Sequence, residues 1–349
     1  MKIKQEKEKQ PDIGGQAVME GVMMKSPTAI AVSVRRTDGR IAVKHTPYTP
    51  LSKKHPWMGW PFIRGIINMG VMLSMGMKTI RLSADMMEME EEPTKFELWL
   101  SKKLGKGIDK IVMYTAVVLA VILAVGLFFA LPQAIGAWLR SFIGSKTIVN
   151  LLEALIRMTI LLAYMAFCGA IPEIKRTFMY HGAEHKTVYC HEHGEPLTPE
   201  NAEKFSSLHP RCGTSFLVIV FVLAFLVYTV CAYNGPVYIW RLLSRLALLP
   251  LVAGVSFEML KGLAHHDAKW VRALRWPGMQ VQRLTTKKPD PDMIEVAICS
   301  MNIALHGLPR RLIPDEKGLV YLSSYTESEP EDEPPDEARS IEPSPDNDC

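Results

Sequence analysis

Cysteine is scarce in this chain, six in 349 residues. The six are scattered, and Cys168 and Cys231 fall inside apolar runs, so a disulfide framework is excluded and reduced thiols are expected. An apolar core behind the N-terminus is also missing. Met1 to Gln10 is basic and polar, so no signal peptide is expected. No repeat of fixed period is visible, which excludes a repeat architecture. Lys and Arg outnumber Asp and Glu by 40 to 36, yet no nucleic-acid motif accompanies them, and nucleic acid is not expected as a partner. The most informative absence is local. Ile111 to Leu131 and Ser215 to Gly235 each carry no charged residue over 21 positions.

A bilayer core requires about 20 such residues, and a buried helix of a water-soluble protein rarely runs that long without charge. Two further spans are less pure. Leu151 to Ile171 carries Glu153 and Arg157, spaced i, i+4, where they can pair on one face. Val237 to Phe257 carries Arg241 and Arg245, again one turn apart. Both pairs sit near a span end, where long side chains are expected to snorkel to the headgroups. Gly65 to Met77 is uncharged over only 13 residues, too short to cross. It is rich in Met and Gly, flanked by Arg64, Lys78 and Arg81, and reads as an interfacial or re-entrant helix.

Basic residues set the expected orientation. The segment before Ile111 holds 19 Lys and Arg, and the segment after the fourth span holds 11. Arg140 and Lys146 alone separate the first two spans, five lie between the second and third, and none between the third and fourth. Basic and poor segments alternate, so both termini are expected in the cytoplasm, in a multi-pass protein of the cell membrane. The net charge of +4 hides an acidic tail: Thr326 to Cys349 has 10 acids and one base, Arg339. The remaining chain, at 39 basic and 26 acidic residues, suits anionic lipids on the cytoplasmic leaflet. The tail, rich in Pro, Glu, Asp and Ser, is expected to be disordered.

Residues 1–10 read as a flexible arm and 11–64 as a cytoplasmic Gly-rich segment with a hairpin. In Ile13 to Met24 three glycines frame a short apolar stretch with a single acid, Glu20. Gly14, Gly15 and Gln16 can form a turn that brings backbone amides to an anion, or a close-packing turn. Glu20 is a candidate partner for histidines elsewhere. Ile30 to Val34 and Ile41 to Lys44 alternate about Asp38-Gly39 and predict a hairpin. Residues 65–110 comprise the Met-rich helix and an amphipathic lead into the first span. Residues 172–214 form a His/Cys-rich cytoplasmic loop, and 258–325 a cytoplasmic C-terminal segment.

That loop holds Tyr180-His181-Gly182-Ala183-Glu184-His185-Lys186, an H-x-x-E-H pattern. On a helix, His181 and His185 lie one turn apart on one face and can share a metal ion, while Glu184 beside them can polarise a metal-bound water. A catalytic zinc needs a third protein ligand and an open position. The candidates are His209, Cys212, His265, His266 and Asp267. A second arrangement competes: Cys190, His193, His209 and Cys212 have the spacing of a closed structural zinc knuckle. The bland alternative is a surface loop whose histidines and acids bond one another.

Four segments in order, Gly14 to Met24, Tyr180 to Lys186, His209-Pro210-Arg211-Cys212-Gly213-Thr214-Ser215-Phe216, and Pro277-Gly278-Met279-Gln280-Val281-Gln282-Arg283-Leu284-Thr285-Thr286, resemble the bacterial YqhQ-like membrane proteins, domain-of-unknown-function family 1385. The resemblance covers about residues 11–305. It implies a four-span membrane protein with a predicted metal-dependent enzymatic role. It includes His181, Glu184, His185, His209, Arg211 and Cys212, asks for no Cys or His at 190 and 193, and implies a further acidic ligand near Glu192. The acidic tail departs from it.

The sequence therefore predicts an α-helical polytopic membrane protein. Four transmembrane helices, 111–131, 151–171, 215–235 and 237–257, carry a small α+β cytoplasmic cap with an N-terminal hairpin. Its expected role is a hydrolase using zinc or another divalent metal, held by His181, His185 and His209 or Cys212, with Glu184 as general base. The rival expectation is a non-enzymatic accessory factor for membrane-protein insertion or the secretion channel, docking a membrane-protein partner through the Met-rich segment.

Overall fold

The computed structural model describes residues 13–87, 108–210, 212–231, 237–264 and 268–330. The expected arm 1–10 and residues 331–349 of the acidic tail lie outside these residues, as does most of the lead-in before the first span.

The predicted hairpin is present as β3 (Ala29–Arg35) and β4 (Ile41–Pro47). It belongs to a larger antiparallel sheet. The Gly-rich segment is itself a hairpin, β1 (Gly14–Val18) with β2 (Gly21–Lys25), turning at Glu20, whose φ is 48°. A fifth strand, β5 (Leu319–Leu322), arrives from the far end of the chain and pairs with β4, giving the order β1-β2-β3-β4-β5. Side chains alternate between two covered faces. Val22, Met24, Ala31, Ile41, Val43 and Val320 pack against helices Pro172–His193 and Pro291–His306. Val18, Met23, Val32, Val34, Ala42 and Leu319 pack on the other side against Met75, Leu82 and Met86 of helix Ile63–Met86. Burial on both faces explains why β2 reads as an unbroken apolar run rather than an alternation.

That Met-rich helix corrects the sequence reading. It runs 24 residues, not 13, because Lys78, Arg81 and Asp85 are accommodated at the sheet end. Gln16 Nε2 donates to Thr79 Oγ1 at 2.8 Å, and the Met19 N–H donates to Ser83 Oγ at 3.3 Å. At its other end Arg64 Nε donates to Glu258 Oε1 at 2.6 Å.

Among the described residues three helices are long and apolar enough to cross a membrane: Tyr114–Leu139, Lys146–Cys168 and Tyr238–Leu263. Leu217–Cys231, within the third expected span, is a shorter apolar helix. The first span continues past the expected end at Leu131 through a π turn at Gly126–Ala130. Snorkelling is not what the span charges do. Glu153, Arg157, Arg241 and Arg245 are all buried, because Glu153 pairs with Arg245 across helices rather than with Arg157 on its own.

Two other boundaries differ. Residues 172–193 of the expected loop are a regular helix, opened by Pro172 and closed by Gly194 with φ 72°. The tail begins later than Thr326, since Tyr325–Ser328 is a 3-10 turn whose buried Ser328 accepts from Asn302 Nδ2 at 3.1 Å.

Candidate metal centre

Helix Pro172–His193 is polar in composition yet buried along Tyr180 and Gly182–Val188. Its motif face therefore looks into the protein. Two glycines permit the contacts there. A Cβ on Gly182 would stand 2.1 Å from the carbonyl oxygen of Lys287, so glycine alone lets the 285–287 segment lie on the helix. The Lys287 N–H donates to Phe178 O at 2.9 Å, and Thr285 O lies 2.9 Å from His181 Nδ1. A Cβ on Gly15 would stand 2.8 Å from Glu184 Cγ and 2.6 Å from Met23 O. The Gly15 N–H donates to the Glu184 carboxylate.

The loop after the helix supplies the rest. His185 Nδ1 lies 2.5 Å from Ser207 O. Lys186, buried beside it, donates from Nζ to Glu203 O at 2.7 Å and to Phe205 O. Burial and hydrogen bonding come together again at His209. Its N–H donates to Gln282 Oε1 at 2.8 Å, and Gln282 Nε2 donates to His209 O at 2.7 Å. This clamp fixes the loop that ends at Cys212.

The result is a convergence. One ligand atom each from His181, His185 and Cys212 lies within 4.8 Å of the others. The ring centroids of His181 and His185 are 4.4 Å apart, and Cys212 Sγ is 3.4 Å from His181 Nε2. Carbonyl oxygens only accept, so both Nδ1 atoms carry a proton, which leaves Nε2 as the atom through which each ring, when neutral, can bind a metal. Burial pushes the His185 imidazole below its ordinary range, keeping it neutral. Glu184 Oε2 lies 3.4 Å from His185 Nε2. Burial pushes its carboxyl upward, opposed by His181, His209 and the Gly15 amide. Two imidazole nitrogens and a sulfur thus converge at a half-buried point, with the Glu184 carboxylate beside it. Two imidazoles and one thiolate suit zinc with a position left open, and each ring's tie to a backbone carbonyl is the outer support metal-bound histidines require.

The other sequence candidates are placed as follows. His209 is buried next to the trio but outside it, with Nε2 3.3 Å from Glu192. Glu192 is thereby a partner of His209. Glu20 turns to Arg176, whose Nε and Nη2 it receives, and not to the histidines. Gln16 binds Thr79, and Gly14 pairs with Lys25 in the sheet, with open space where a side chain would lie. The zinc knuckle does not assemble: Cys190 donates to Pro196 O at 3.4 Å, and His193 Nδ1 meets Tyr189 O at 2.8 Å. Arg211, His265, His266 and Asp267 lie outside the described residues. Sequence reasoning assigned no role to Ser207, Gln282 or Thr285. Ser207 and Thr285 act through backbone carbonyls, which leave no trace in residue type. Gln282 left a trace, an amide inside the Pro277–Thr286 motif.

Comparison with known proteins places residues 60–307 in the family model described as "Protein of unknown function (DUF1385)". The chain is 34% identical over 300 residues to "Uncharacterized protein YqhQ" of Bacillus subtilis (strain 168), covering 84% of this chain and 92% of that one. No solved structure matches.

Proposed function

The chain belongs to the DUF1385 family, and on its site geometry we propose that it is a membrane-anchored, metal-dependent hydrolase. The observation that carries this is the approach of His181, His185 and Cys212 to one half-buried point, with both Nδ1 protons tied to backbone carbonyls. These three residues would hold zinc or a similar divalent metal. Such an ion, when bound, polarises a substrate oxygen and acidifies water. The chain's own part is to orient and to move a proton. Glu184, beside the trio and not within it, is the general base, taking a proton at Oε2. The Gly15 amide aims its carboxylate. Gln282 and Lys186 hold the loop that carries Ser207 and Cys212.

In this reading four helices span the cell membrane, Gly213–Cys231 being the third, and both termini are cytoplasmic. The alternation of basic segments supports that orientation. It puts the sheet and its helices on the inner face as a cap, with the basic segments against anionic lipids.

The test is elemental analysis of the full chain purified without chelator. One zinc per chain is expected in the wild type, and none in His185→Ala or Cys212→Ser. Cys190→Ser combined with His193→Ala should keep the metal, and so should Glu184→Gln. A metal-free wild type overturns the hydrolase. It favours instead the accessory-factor reading, for which the exposed Met69, Met72 and Met77 of helix Ile63–Met86 offer an adaptable contact face.

A further inference from the structure

Charge is buried a second time, at the other end of the helical bundle. Glu153, Arg157, Arg241 and Arg245 are 1%, 8%, 3% and 2% exposed. Glu153 lies in the first half of helix Lys146–Cys168 and Arg157 at its middle, and the far end of that helix leads into the histidine helix. The other two lie in the early turns of Tyr238–Leu263. Their contacts draw them together. Arg245 Nη1 pairs with Glu153, and its Nη2 donates to Asn150 Oδ1 at 3.2 Å. The guanidiniums of Arg157 and Arg245 each lie 5.9 Å from the ring centre of Tyr228. Arg157 Nε donates at 2.7 Å to Phe128 O, a carbonyl of the π turn Gly126–Ala130. Arg241 sits one turn before Arg245.

The arrangement is unbalanced. Three guanidiniums face one carboxylate, leaving two positive charges over. Arg157 Nη2, Arg241 Nε and Nη1, and Arg245 Nε are buried with no hydrogen-bond partner among the described residues. Arginine cannot shed its proton to escape the cost of burial. Inside a membrane bundle that cost is high, and buried charges are there either paired or functional. A bound anion would answer both the charge excess and the unmet donors.

We propose that Arg157, Arg241 and Arg245 form a binding site for a phosphate group. Planar N–H forks match phosphate oxygens two at a time, and a phosphate carries the one to two negative charges the cluster lacks. The same chemistry is offered by a phospholipid headgroup and by free phosphate. The site is independent of the metal centre.

The test uses the full chain in a maltoside detergent, which carries no phosphate. Thermal stability is followed on adding inorganic phosphate, and in a second arm on adding phosphatidic acid to the micelles. The wild type should gain stability in at least one arm. Gain with inorganic phosphate assigns a free anion, and gain with phosphatidic acid alone assigns a lipid. Arg241→Gln, which leaves the Arg245–Glu153 pair in place, should lose the response, while Lys146→Gln at the exposed helix start should keep it. If Arg241→Gln does not fold, Arg241→Lys retains the charge without the fork and should bind about tenfold more weakly. The proposal is overturned if the wild type responds in neither arm. It is equally overturned if the Arg241 variant responds as strongly as the wild type.

Discussion

Replacing Gly182 by alanine tests the site through a residue that holds no ligand atom. The added Cβ would lie 2.1 Å from Lys287 O, against an ordinary contact of at least 3.4 Å, so the 285–287 backbone has to retreat by more than an ångström. Two hydrogen bonds of 2.9 Å cross that contact, Lys287 N–H to Phe178 O and His181 Nδ1–H to Thr285 O. Stretched by that much, neither survives as a hydrogen bond. Overpacking costs about 1–3 kcal/mol and each of the two lost bonds about 1 kcal/mol, so a total loss of about 3–5 kcal/mol is expected. Freed from its carbonyl, the His181 ring loses its fixed tautomer and orientation, and outer-support losses of this kind weaken metal binding about 10- to 100-fold. Zinc affinity by chelator competition and thermal stability in one detergent measure both effects. Gly14→Ala, where a Cβ meets nothing, is the matched control and should behave as wild type. A folded Gly182→Ala chain with wild-type zinc affinity and wild-type melting would refute the dependence of the site on this close approach.

Gln282→Ala should strip the His209 backbone of both its buried partners, cost about 2–4 kcal/mol in stability and lower zinc affinity through the freed Cys212 loop; unchanged melting would show that the clamp is not needed. Arg176→Ala should shift melting little, by about 1 kcal/mol or less, because its ion pair with Glu20 is half exposed; a larger loss would mean that this pair anchors the histidine helix. Burial pushes the thiols of Cys190 and Cys299 up to about 11 and about 12. The thiolate is the reactive form and under about one per cent of either thiol is ionised at pH 8; with both also shut off from solvent, maleimide should label them only after denaturation. Labelling in the native state, read by mass spectrometry, would contradict that burial.

The sequence showed the apolar spans, the β3–β4 hairpin and the H-x-x-E-H helix because each depends on local pattern: uncharged length, alternation about a turn, one helical turn between imidazoles. Long-range pairing was hidden. Leu319–Leu322 has the composition of any short apolar stretch, and only contact with β4 makes it a strand. One helix at a time gives no account of its neighbours and so predicts snorkelling for the span arginines; the local pairing of Glu153 with Arg157 that the spacing suggests gives way to Arg245, 92 residues away. At the metal centre, Cys212 and His209 were equal candidates by spacing. The Gln282 clamp and the Glu192 contact turn His209 aside, and neither is visible until the chain is folded.

The sheet that carries Gly15 is closed by residues some three hundred positions later. Ser300 Oγ donates to Val22 O at 3.1 Å and to Ala31 O at 2.9 Å, and β5 completes the edge beyond β4. During synthesis, the histidine helix emerges long before Gln282, Ser300 and Leu319 exist to support it. The ribosome therefore delivers the membrane spans first and the means of shaping the ligand pocket last. A nascent chain halted before residue 291 would hold every residue of the candidate site but lack helix Pro291–His306 and β5, against which the sheet bearing Gly15 packs.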